Sequence, residues 1–346
     1  MSTSTKFTRR ELSLLGANLG MATFATGLGW SPAVRAQEAK AMLGHFPSAN
    51  QQNFSKATGS MQKALGDKTK IEFISVSAGP QILTAMAADS MDLCNMGSSA
   101  MIVGFAQGLP VSMVYMHKVV KDSECLVVRN DAGIKELKDL KGKKVGCPFN
   151  TSVHFALLAG MKSAGLTAAD VTLVNLRPDA IAAAWQRKDI DAAYIWHPVL
   201  AGLEKDGGTI IFKSGDLIAK GSLVFDGLVC RDAFKKQHPD LVLAYLKELD
   251  RINTIYREKP AEVVAVMAPF LQIPPETAMT IAKTTHTITP KEMISDAWMG
   301  APGAKTSGIL KAIQDQADFL KATDQLKTLP ADFSKFVDSS FVAKMV

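Results

Sequence analysis

Short apolar runs alternate with amphipathic helical patterns from about residue 40 to about residue 230. The apolar runs predict ten strands: Ala41–His45, Ile71–Val76, Leu93–Met96, Val111–Met116, Leu126–Arg129, Lys144–Cys147, Val171–Leu176, Ala192–Ile195, Thr209–Phe212 and Leu228–Cys230. Helical patterns lie between most of them, at Gln81–Ala88, Ser99–Gln107, Ser152–Ala164, Asp179–Arg187 and Val199–Lys205. Strands and helices that alternate at this spacing predict a mainly parallel sheet flanked by helices.

The character of the chain changes after Arg231, where helical patterns dominate. They cover Pro239–Tyr256, Pro260–Phe270, Pro274–Thr284, Pro290–Trp298, Thr306–Ala322 and Ala331–Lys344. Proline opens several of these segments, as is typical of the first helical position.

The lysine-rich stretch Lys135–Lys144 precedes a strand and then a helix start, and this order indicates the beginning of a second α/β unit. We therefore expect two lobes, with residues 37–129 as the first part of lobe 1, residues 130–229 as lobe 2, and residues 230–346 as the return to lobe 1. Because the chain crosses twice, the lobes can move as a hinge that closes on a ligand.

Residues 1–36 are interpreted as an export signal. Two arginines, Arg9 and Arg10, precede a weakly apolar stretch that runs from Leu12 to Trp30, and Val34-Arg35-Ala36 forms a cleavage site. The arginine pair is typical of the twin-arginine route, and general secretion remains the alternative. Since the first cysteine is Cys94, a lipoprotein anchor is excluded, and the mature protein is expected in the periplasm.

The net charge of +6 does not favour a nucleic-acid partner. Residues 1–36 account for half of it, because four basic residues there face one glutamate, and no run of five basic residues occurs.

The four cysteines, Cys94, Cys125, Cys147 and Cys230, lie in apolar runs without metal-ligand spacing. Buried free thiols are the favoured interpretation, and a Cys125–Cys230 disulfide is the alternative if their strands are neighbours.

The sequence contains no Gly-x-Ser-x-Gly elbow, P-loop, dinucleotide-binding glycine motif or His-Glu-x-x-His motif. We therefore expect neither an enzyme nor a metal or cofactor site. Two strands instead run into helices through hydroxyl residues, at Ser98-Ser99 and at Thr151-Ser152. Helix N-termini present unpaired N–H groups and partial positive charge, so one such start from each lobe predicts an anion site, although each alone would simply be a helix cap.

Three segments carry a family resemblance: Asn95–Ser99, Ser123–Val128, and above all Val174–Pro198 with its Ala-Ala-Trp-Gln-Arg…Asp-Ile-Asp…Ala-Tyr-Ile-Trp run. They resemble the taurine-binding periplasmic proteins of ABC-type sulfonate importers, nearly continuously from about residue 41 to 235. The resemblance implies a two-lobed periplasmic-binding-protein fold of the second type, with the ligand held in the cleft between lobes.

The resemblance also implies roles for single residues. Ser98, Ser99, Thr151 and Ser152 correspond to the sulfonate donors of the family, His154 to a histidine of the same motif, and Trp196 to an aromatic residue of the cleft wall. Asp226 corresponds to an aspartate that meets the ligand's amine, and Glu124 would be its companion. The sequence departs from the family after this aspartate, at Gly227-Leu228, where smaller residues predict a wider cleft. His45 and Phe46 are further candidates for the cleft wall.

These observations together predict a periplasmic receptor that captures taurine or a similar aminosulfonate and delivers it to an inner-membrane ABC permease. A monomer without nucleic-acid partner or cofactor is expected. The alternatives are a receptor for another small organic anion and a periplasmic enzyme on the same fold.

Overall fold

The computed structural model describes residues 39–346. The predicted export signal and the predicted start of lobe 1 at residue 37 lie outside the described residues. No helix of the described chain is both long enough and apolar enough to cross a membrane.

All ten predicted strands are present. They are β1 (Ala39–His45), β2 (Thr69–Ser75), β3 (Leu93–Gly97), β4 (Val111–Val119), β5 (Glu124–Arg129), β6 (Lys144–Cys147), β7 (Thr172–Asn175), β8 (Ala192–Trp196), β9 (Gly208–Lys213) and β10 (Phe225–Arg231). They form two five-stranded sheets, ordered β2-β1-β3-β10-β4 and β7-β6-β8-β5-β9. In each sheet one strand, β10 or β5, runs antiparallel to its two neighbours, so the other four strands share one direction. The expectation of mainly parallel sheets is confirmed.

Helices flank both sheets. They are α1 (Gln51–Thr58), α2 (Ser60–Leu65), α3 (Gly79–Ala87), α4 (Ser98–Ala106), α5 (Ser152–Ser163), α6 (Pro178–Gln186), α7 (Val199–Lys205), α8 (Asp232–Gln237), α9 (Pro239–Glu258), α10 (Pro260–Leu271), α11 (Pro275–Thr284), α12 (Pro290–Met293), α13 (Gly308–Ala322) and α14 (Ser340–Ala343). Short 3₁₀ turns lie at Leu137–Leu140, Ala168–Asp170, Ser214–Lys220 and Phe333–Phe336.

The two sheets define two lobes, and the chain crosses between them twice. Lobe 1 comprises residues 39–119 and 225–346, and lobe 2 comprises residues 124–222. The crossing segments, residues 120–123 and 223–224, lie side by side, because the Val120 N–H donates to the Val224 carbonyl at 3.0 Å. The boundaries differ from the predicted 129 and 229, since β5 already belongs to the second sheet and β10 to the first. An antiparallel strand at each crossing carries the same apolar pattern as a parallel one, so the pattern alone could not place it.

The sheets are buried on both faces, which explains the nearly continuous apolar runs in their strands. In lobe 2 one face packs Val145, Leu157 and Tyr194, while the other packs Ile181 and Trp185. Lobe 1 has one large core in which strands β3, β4 and β10 pack against α4, α9 and α13, and a smaller cluster between α1, α9, α10 and α11.

Some predicted helices have different bounds. The segment Pro290–Trp298 is helical only to Met293, and Ala331–Lys344 is divided into a 3₁₀ turn and α14. Between the two, the Asp338 carboxylate accepts from the Ser340 N–H and hydroxyl and so forms a turn that interrupts the predicted helix.

Helices α1, α2 and α8 were not predicted from the sequence. In α1 the cause is clear, because this helix buries polar residues: Gln51, Gln52, Asn53 and Ser55. Its Gln51 amide donates to Asn253 Oδ1 of α9 at 2.7 Å, so hydrogen bonding replaces the apolar stripe that would have identified the helix.

Candidate ligand-binding cleft

A cavity lies between the two lobes, where strands β1, β3, β4 and β8 end and the antiparallel strands β5 and β10 begin. Lobe 1 lines it with Phe46, Ser48, Asn50, Gln51, Gly79, Asn95, Gly97, His117, Lys118, Asp226 and the end of α11. Lobe 2 lines it with Glu124, Thr151, Ser152, Trp196 and His197, and the crossing segment adds Ser123.

The lobes touch around this cavity. The rings of Phe46 and Trp196 meet edge to face with centroids 6.4 Å apart, and the Ser48 hydroxyl donates to the His197 carbonyl at 3.3 Å. A Cβ atom built on Gly97 would lie 2.9 Å from Ser152 Oγ. On the outer surface Lys205 of lobe 2 pairs with Glu276 of lobe 1 at 2.9 Å. The cleft is therefore closed in this structure.

Four helices direct their N-termini toward the cavity. The lining includes Gln51 at the start of α1, Gly79 at the start of α3, the N-cap Gly97 of α4, and Ser152 at the start of α5. Within residues 39–346 no side chain caps α3, α4 or α5. The first N–H groups of α4 and α5 are thus available to an anion, whereas α3, with Pro80 as its second residue, offers the Gly79 N–H. The helix dipoles favour negative charge at the same place.

The hydroxyl groups that the sequence assigned to the anion are used within the protein. Ser98 and Ser99 lie outside the cavity lining, and both donate to Gln316 Oε1 of α13, at 2.8 and 3.3 Å. Thr151 donates to the Pro148 carbonyl at 2.6 Å, and Ser152 donates to Glu124 Oε1 at 2.8 Å. Each hydroxyl has a single proton, so at Thr151 and Ser152, which line the cavity, it is the backbone N–H that remains to donate to an oxyanion.

Two carboxylates and one lysine also lie on the cavity wall. Asp226 pairs with Lys118 at 3.4 Å across neighbouring positions of β10 and β4. Glu124 is 4% exposed, and its Oε2 has no hydrogen-bond partner among the described residues. Burial, together with the nearby charge of Asp226, raises the pKa of Glu124 to about 7. The two acidic side chains predicted to form the amine end therefore do share one region.

Two histidines in the cavity wall are neutral. Burial and the nearby Lys118 charge lower the pKa of His117 to about 3 and that of His197 to about 4. Asn95 Oδ1 and the Nδ1 atoms of both histidines have no partner among the described residues. Uncharged imidazole and amide groups add hydrogen-bonding capacity next to Asp226 and Glu124 without adding positive charge.

The remaining site residues predicted from the sequence divide into two groups. Trp196 and Phe46 line the cavity, whereas His154 and His45 do not. The His154 ring stacks on Phe149 with centroids 4.3 Å apart, and burial lowers its pKa to about 4. Its Nδ1 accepts from the Asn150 N–H at 3.4 Å, so it supports the turn that leads into α5.

Gly227 and Leu228 do not widen the cleft. Both are buried outside the cavity lining, and a Cβ on Gly227 would meet Met113 and Met101 of the lobe 1 core at 3.0 and 3.1 Å. The prediction is wrong for Gly227 because side chains alternate along a strand, so the residue after Asp226 points away from the ligand side. Leu228 lies further along β10, beyond the part of the strand that lines the cavity.

Several cavity residues were not predicted: Asn95, His117, Lys118, His197 and the Ile281–Thr285 end of α11. The pair His117-Lys118 carried a usable signal, since two polar residues follow the long apolar run of β4 near its carboxyl end. An irregularity in the pairing of β4 with β10 beside this pair lets both side chains line the cavity, which sequence periodicity does not reveal. The α11 residues come from a part of the chain that no local pattern links to the cleft.

Two α/β lobes joined by a double crossing, with a closed cleft between them, define a two-lobed binding protein of the second periplasmic type. The chain belongs to the NMT1/THI5-like family, whose model matches residues 70–263. It is 30% identical to the taurine-binding periplasmic protein of Escherichia coli over 90% of this chain and 95% of that protein. It is 28% identical to a putative aliphatic sulfonates-binding protein of Bacillus subtilis over 80% of this chain and 78% of that one.

Solved structures show the same fold. The alkanesulfonate-binding protein SsuA of Xanthomonas axonopodis pv. citri, bound to MOPS, has a TM-score of 0.74 at 21% identity, covering 87% of this chain and 99% of that chain. The desulfurization enzyme DSZB has a TM-score of 0.60 at 15% identity, covering 88% of this chain and 98% of that chain. The fold thus serves binding proteins and an enzyme, and the site must decide between them.

Proposed function

We propose that this protein is a periplasmic receptor of an ABC importer that captures taurine or a similar small aminosulfonate. The observation that carries the proposal is the charge arrangement within one closed cavity. Uncapped helix N-termini of α3, α4 and α5 lie on its wall together with two carboxylates, Asp226 and Glu124, and one lysine, Lys118, which pairs with Asp226.

A zwitterion fits both parts of this arrangement. A sulfonate keeps its charge at any biological pH, has three acceptor oxygens and donates nothing, so backbone N–H groups suit it. An ammonium group needs acceptors with negative charge. Lys118 is the one cation among the residues that line the described wall, and it balances the charge of one of the two carboxylates. One negative charge remains on the wall, and a single ligand ammonium would neutralise it.

The partners follow from this function. A receptor of this kind delivers its ligand to a membrane permease, and the export signal predicted in residues 1–36 would carry it across the inner membrane. We expect it to act as a monomer, since one chain supplies both walls of the cleft.

An enzyme on the same fold is the second candidate, since DSZB shares the architecture. Among the described residues that line the cavity none is a cysteine, and all four cysteines are buried elsewhere in strands. Neither imidazole ring of the two wall histidines is hydrogen-bonded to a serine or cysteine side chain within the described chain. These observations favour binding without turnover.

Isothermal titration of the mature chain (residue 37 onward) with taurine, ethanesulfonate and β-alanine tests the proposal. We expect tight binding of taurine, weaker binding of ethanesulfonate, which lacks the amine, and weaker binding of β-alanine, whose carboxylate has one oxygen fewer. Equal or tighter binding of ethanesulfonate would contradict the proposed contact between the protein and the ligand's ammonium group. No binding of any of the three compounds would contradict an aminosulfonate ligand. Unchanged taurine after prolonged incubation, followed by NMR, is the expected result for a receptor, while consumption would indicate an enzyme.

A further inference from the structure

The two carboxylates of the cleft belong to different lobes. Asp226 is in β10 of lobe 1, where it lies opposite Gly97 of β3 and Lys118 of β4. Glu124 is the first residue of β5 in lobe 2 and follows directly on the crossing segment. The two like charges therefore sit on parts of the protein that move relative to each other when the cleft opens or closes.

The protein neutralises these charges incompletely. Asp226 has the ammonium of Lys118 at 3.4 Å, whereas Glu124 has only the Ser152 hydroxyl on Oε1 and no described partner on Oε2. The buried Oε2 is inaccessible to solvent in the closed cleft, so closure removes its solvation without supplying a partner.

We propose that the ligand's ammonium group controls closure of the lobes, and that Glu124 is the specificity-determining residue that makes closure depend on it. An ammonium between Glu124 and Asp226 replaces their repulsion by two attractions and gives Oε2 a donor. A sulfonate without an amine is attracted to the helix N-termini but leaves the two carboxylates opposed. This inference rests on the proposed function and extends it, because it separates binding from closure: the receptor would adopt its closed form only around small zwitterions.

Other groups around Glu124 cannot take over this role. Lys118 of β4 is already paired with Asp226, and Ser152 at the start of α5 is uncharged. His117 of β4 and His197 after β8 stay neutral because burial holds their pKa values near 3 and 4, and burial also keeps Tyr194 of β8 protonated by raising its pKa. Glu124 is thus the member of this group that changes charge between pH 8 and pH 5.5, as its pKa is raised to about 7 by burial and Asp226.

Small-angle scattering of the mature chain tests the proposal, with the radius of gyration as the measure of closure. At saturating concentrations set by titration, taurine should reduce the radius of gyration and ethanesulfonate should leave it near the ligand-free value. The fluorescence of Trp196, which meets Phe46 across the cleft, should change with taurine alone. Equal closure of the wild-type protein by ethanesulfonate would overturn the proposal.

Two further scattering experiments need no ligand. They therefore test the role of Glu124 even if the protein does not bind an aminosulfonate. The ligand-free Glu124→Gln variant should have a smaller radius of gyration than the wild type at pH 8, and the ligand-free wild type should contract when the pH is lowered from 8 to 5.5. This pH response should be absent in Glu124→Gln. An unchanged radius of gyration in both experiments would overturn the role of Glu124 even if taurine binds.

A matched control separates the cleft from the lobe surface. Glu276→Gln removes the charge of a glutamate that also faces the other lobe, through Lys205, but on the outer surface. It should leave the difference between taurine and ethanesulfonate intact. If Glu276→Gln and Glu124→Gln behave alike, closure follows general interlobe charge and not the cleft carboxylate.

Discussion

Gly97 and Ser152 face each other across the cleft with no room for one more methyl group between them. A Cβ on Gly97 would lie 2.9 Å from Ser152 Oγ and 3.4 Å from Ser152 N. Gly97 itself has φ −64° and ψ 147°, which any residue can adopt. Glycine is therefore needed here because a side chain would keep the two lobes apart, and not because the backbone adopts an unusual conformation.

A Gly97→Ala substitution should keep the fold but hold the lobes apart. We expect taurine affinity to fall at least about tenfold, which corresponds to roughly 1.4 kcal/mol, while the thermal unfolding of the ligand-free protein changes little. Gly202→Ala, on the outer helix α7, is the matched control, since a Cβ there meets nothing within 4 Å. Calorimetric titration of both variants checks the prediction, and wild-type affinity in Gly97→Ala would contradict it.

Removal of the lobe 1 carboxylate should weaken binding of the amine end. We expect Asp226→Ala to lower taurine affinity tenfold or more, because the ammonium loses an acceptor and Lys118 loses its partner. Asp189→Ala is the control, as this exposed aspartate pairs with Arg187 and neither residue lines the cavity. Unchanged affinity in Asp226→Ala, with native circular dichroism, would remove Asp226 from the binding site.

Ligand should stabilise the folded protein in proportion to its occupancy. At a taurine concentration of 100 times Kd, the free energy of unfolding should rise by about 2.7 kcal/mol, because only the folded state holds the cleft. Chemical denaturation with and without ligand measures this gain. Ethanesulfonate at the same concentration should give a smaller gain, and equal gains would indicate that the amine contributes nothing.

Acid should destabilise the protein through histidines that stay neutral in the folded state. Burial lowers the pKa of His117 to about 3, and those of His154 and His197 to about 4. The unfolded chain takes up these protons near the ordinary histidine value of about 6.5, so it binds more protons than the folded chain below that pH, and stability falls as the pH drops. Glu124 opposes this trend, since its raised pKa lets the folded state bind one extra proton between its ordinary value and about pH 7.

Denaturation curves at pH 6 and pH 5 measure this loss. The His154→Gln variant tests whether the buried histidines cause this loss, because it removes one of the titrating groups. His154 lies outside the cavity lining, so ligand binding does not complicate the comparison. The loss of stability between these two pH values should shrink by up to about 1.4 kcal/mol per pH unit relative to the wild type. A slope identical to that of the wild type would mean that His154 is protonated in the folded protein.

The thiols should be unreactive until the protein unfolds. All four cysteines are free and buried, and burial raises the pKa of Cys125 to about 12. Cys125 lies in the sheet of lobe 2 and Cys230 in that of lobe 1, so the predicted alternative of a disulfide between them is wrong. Titration with a thiol reagent should detect no reactive thiol in the native protein and four after denaturation without reductant. Only two after denaturation would reveal a disulfide.

The sequence predicted the strands better than it predicted the cleft, for a physical reason. Strands buried on both faces form apolar runs that can be recognised locally, and all ten were predicted. The cleft depends on which side of a strand each polar residue occupies and on contacts between distant segments. Asp226 and Glu124 came from a family resemblance, whereas His117 and Lys118 depend on a local irregularity in the pairing of β4 with β10.

The assignment of Ser98 and Ser99 shows the same limit. Their position at a helix start was predicted correctly, but the acceptor of their hydroxyls, Gln316, lies more than two hundred residues further along the chain. Gln316 also donates to the Leu223 carbonyl at 2.6 Å, so a single amide of α13 connects the start of α4 to a crossing segment. No local pattern could have indicated this contact.

The hydrogen bond between the two crossing segments, from Val120 to Val224, has a mechanical consequence. Because the two connections are adjacent and hydrogen-bonded, lobe 2 can move relative to lobe 1 essentially by rotation about one axis. A single angle then describes the position of every point on lobe 2 relative to lobe 1. A ligand that closes the cleft therefore also changes the relative position of the two lobes at every surface that spans both of them. A membrane protein that rests on both lobes can distinguish a loaded receptor from an empty one without touching the ligand.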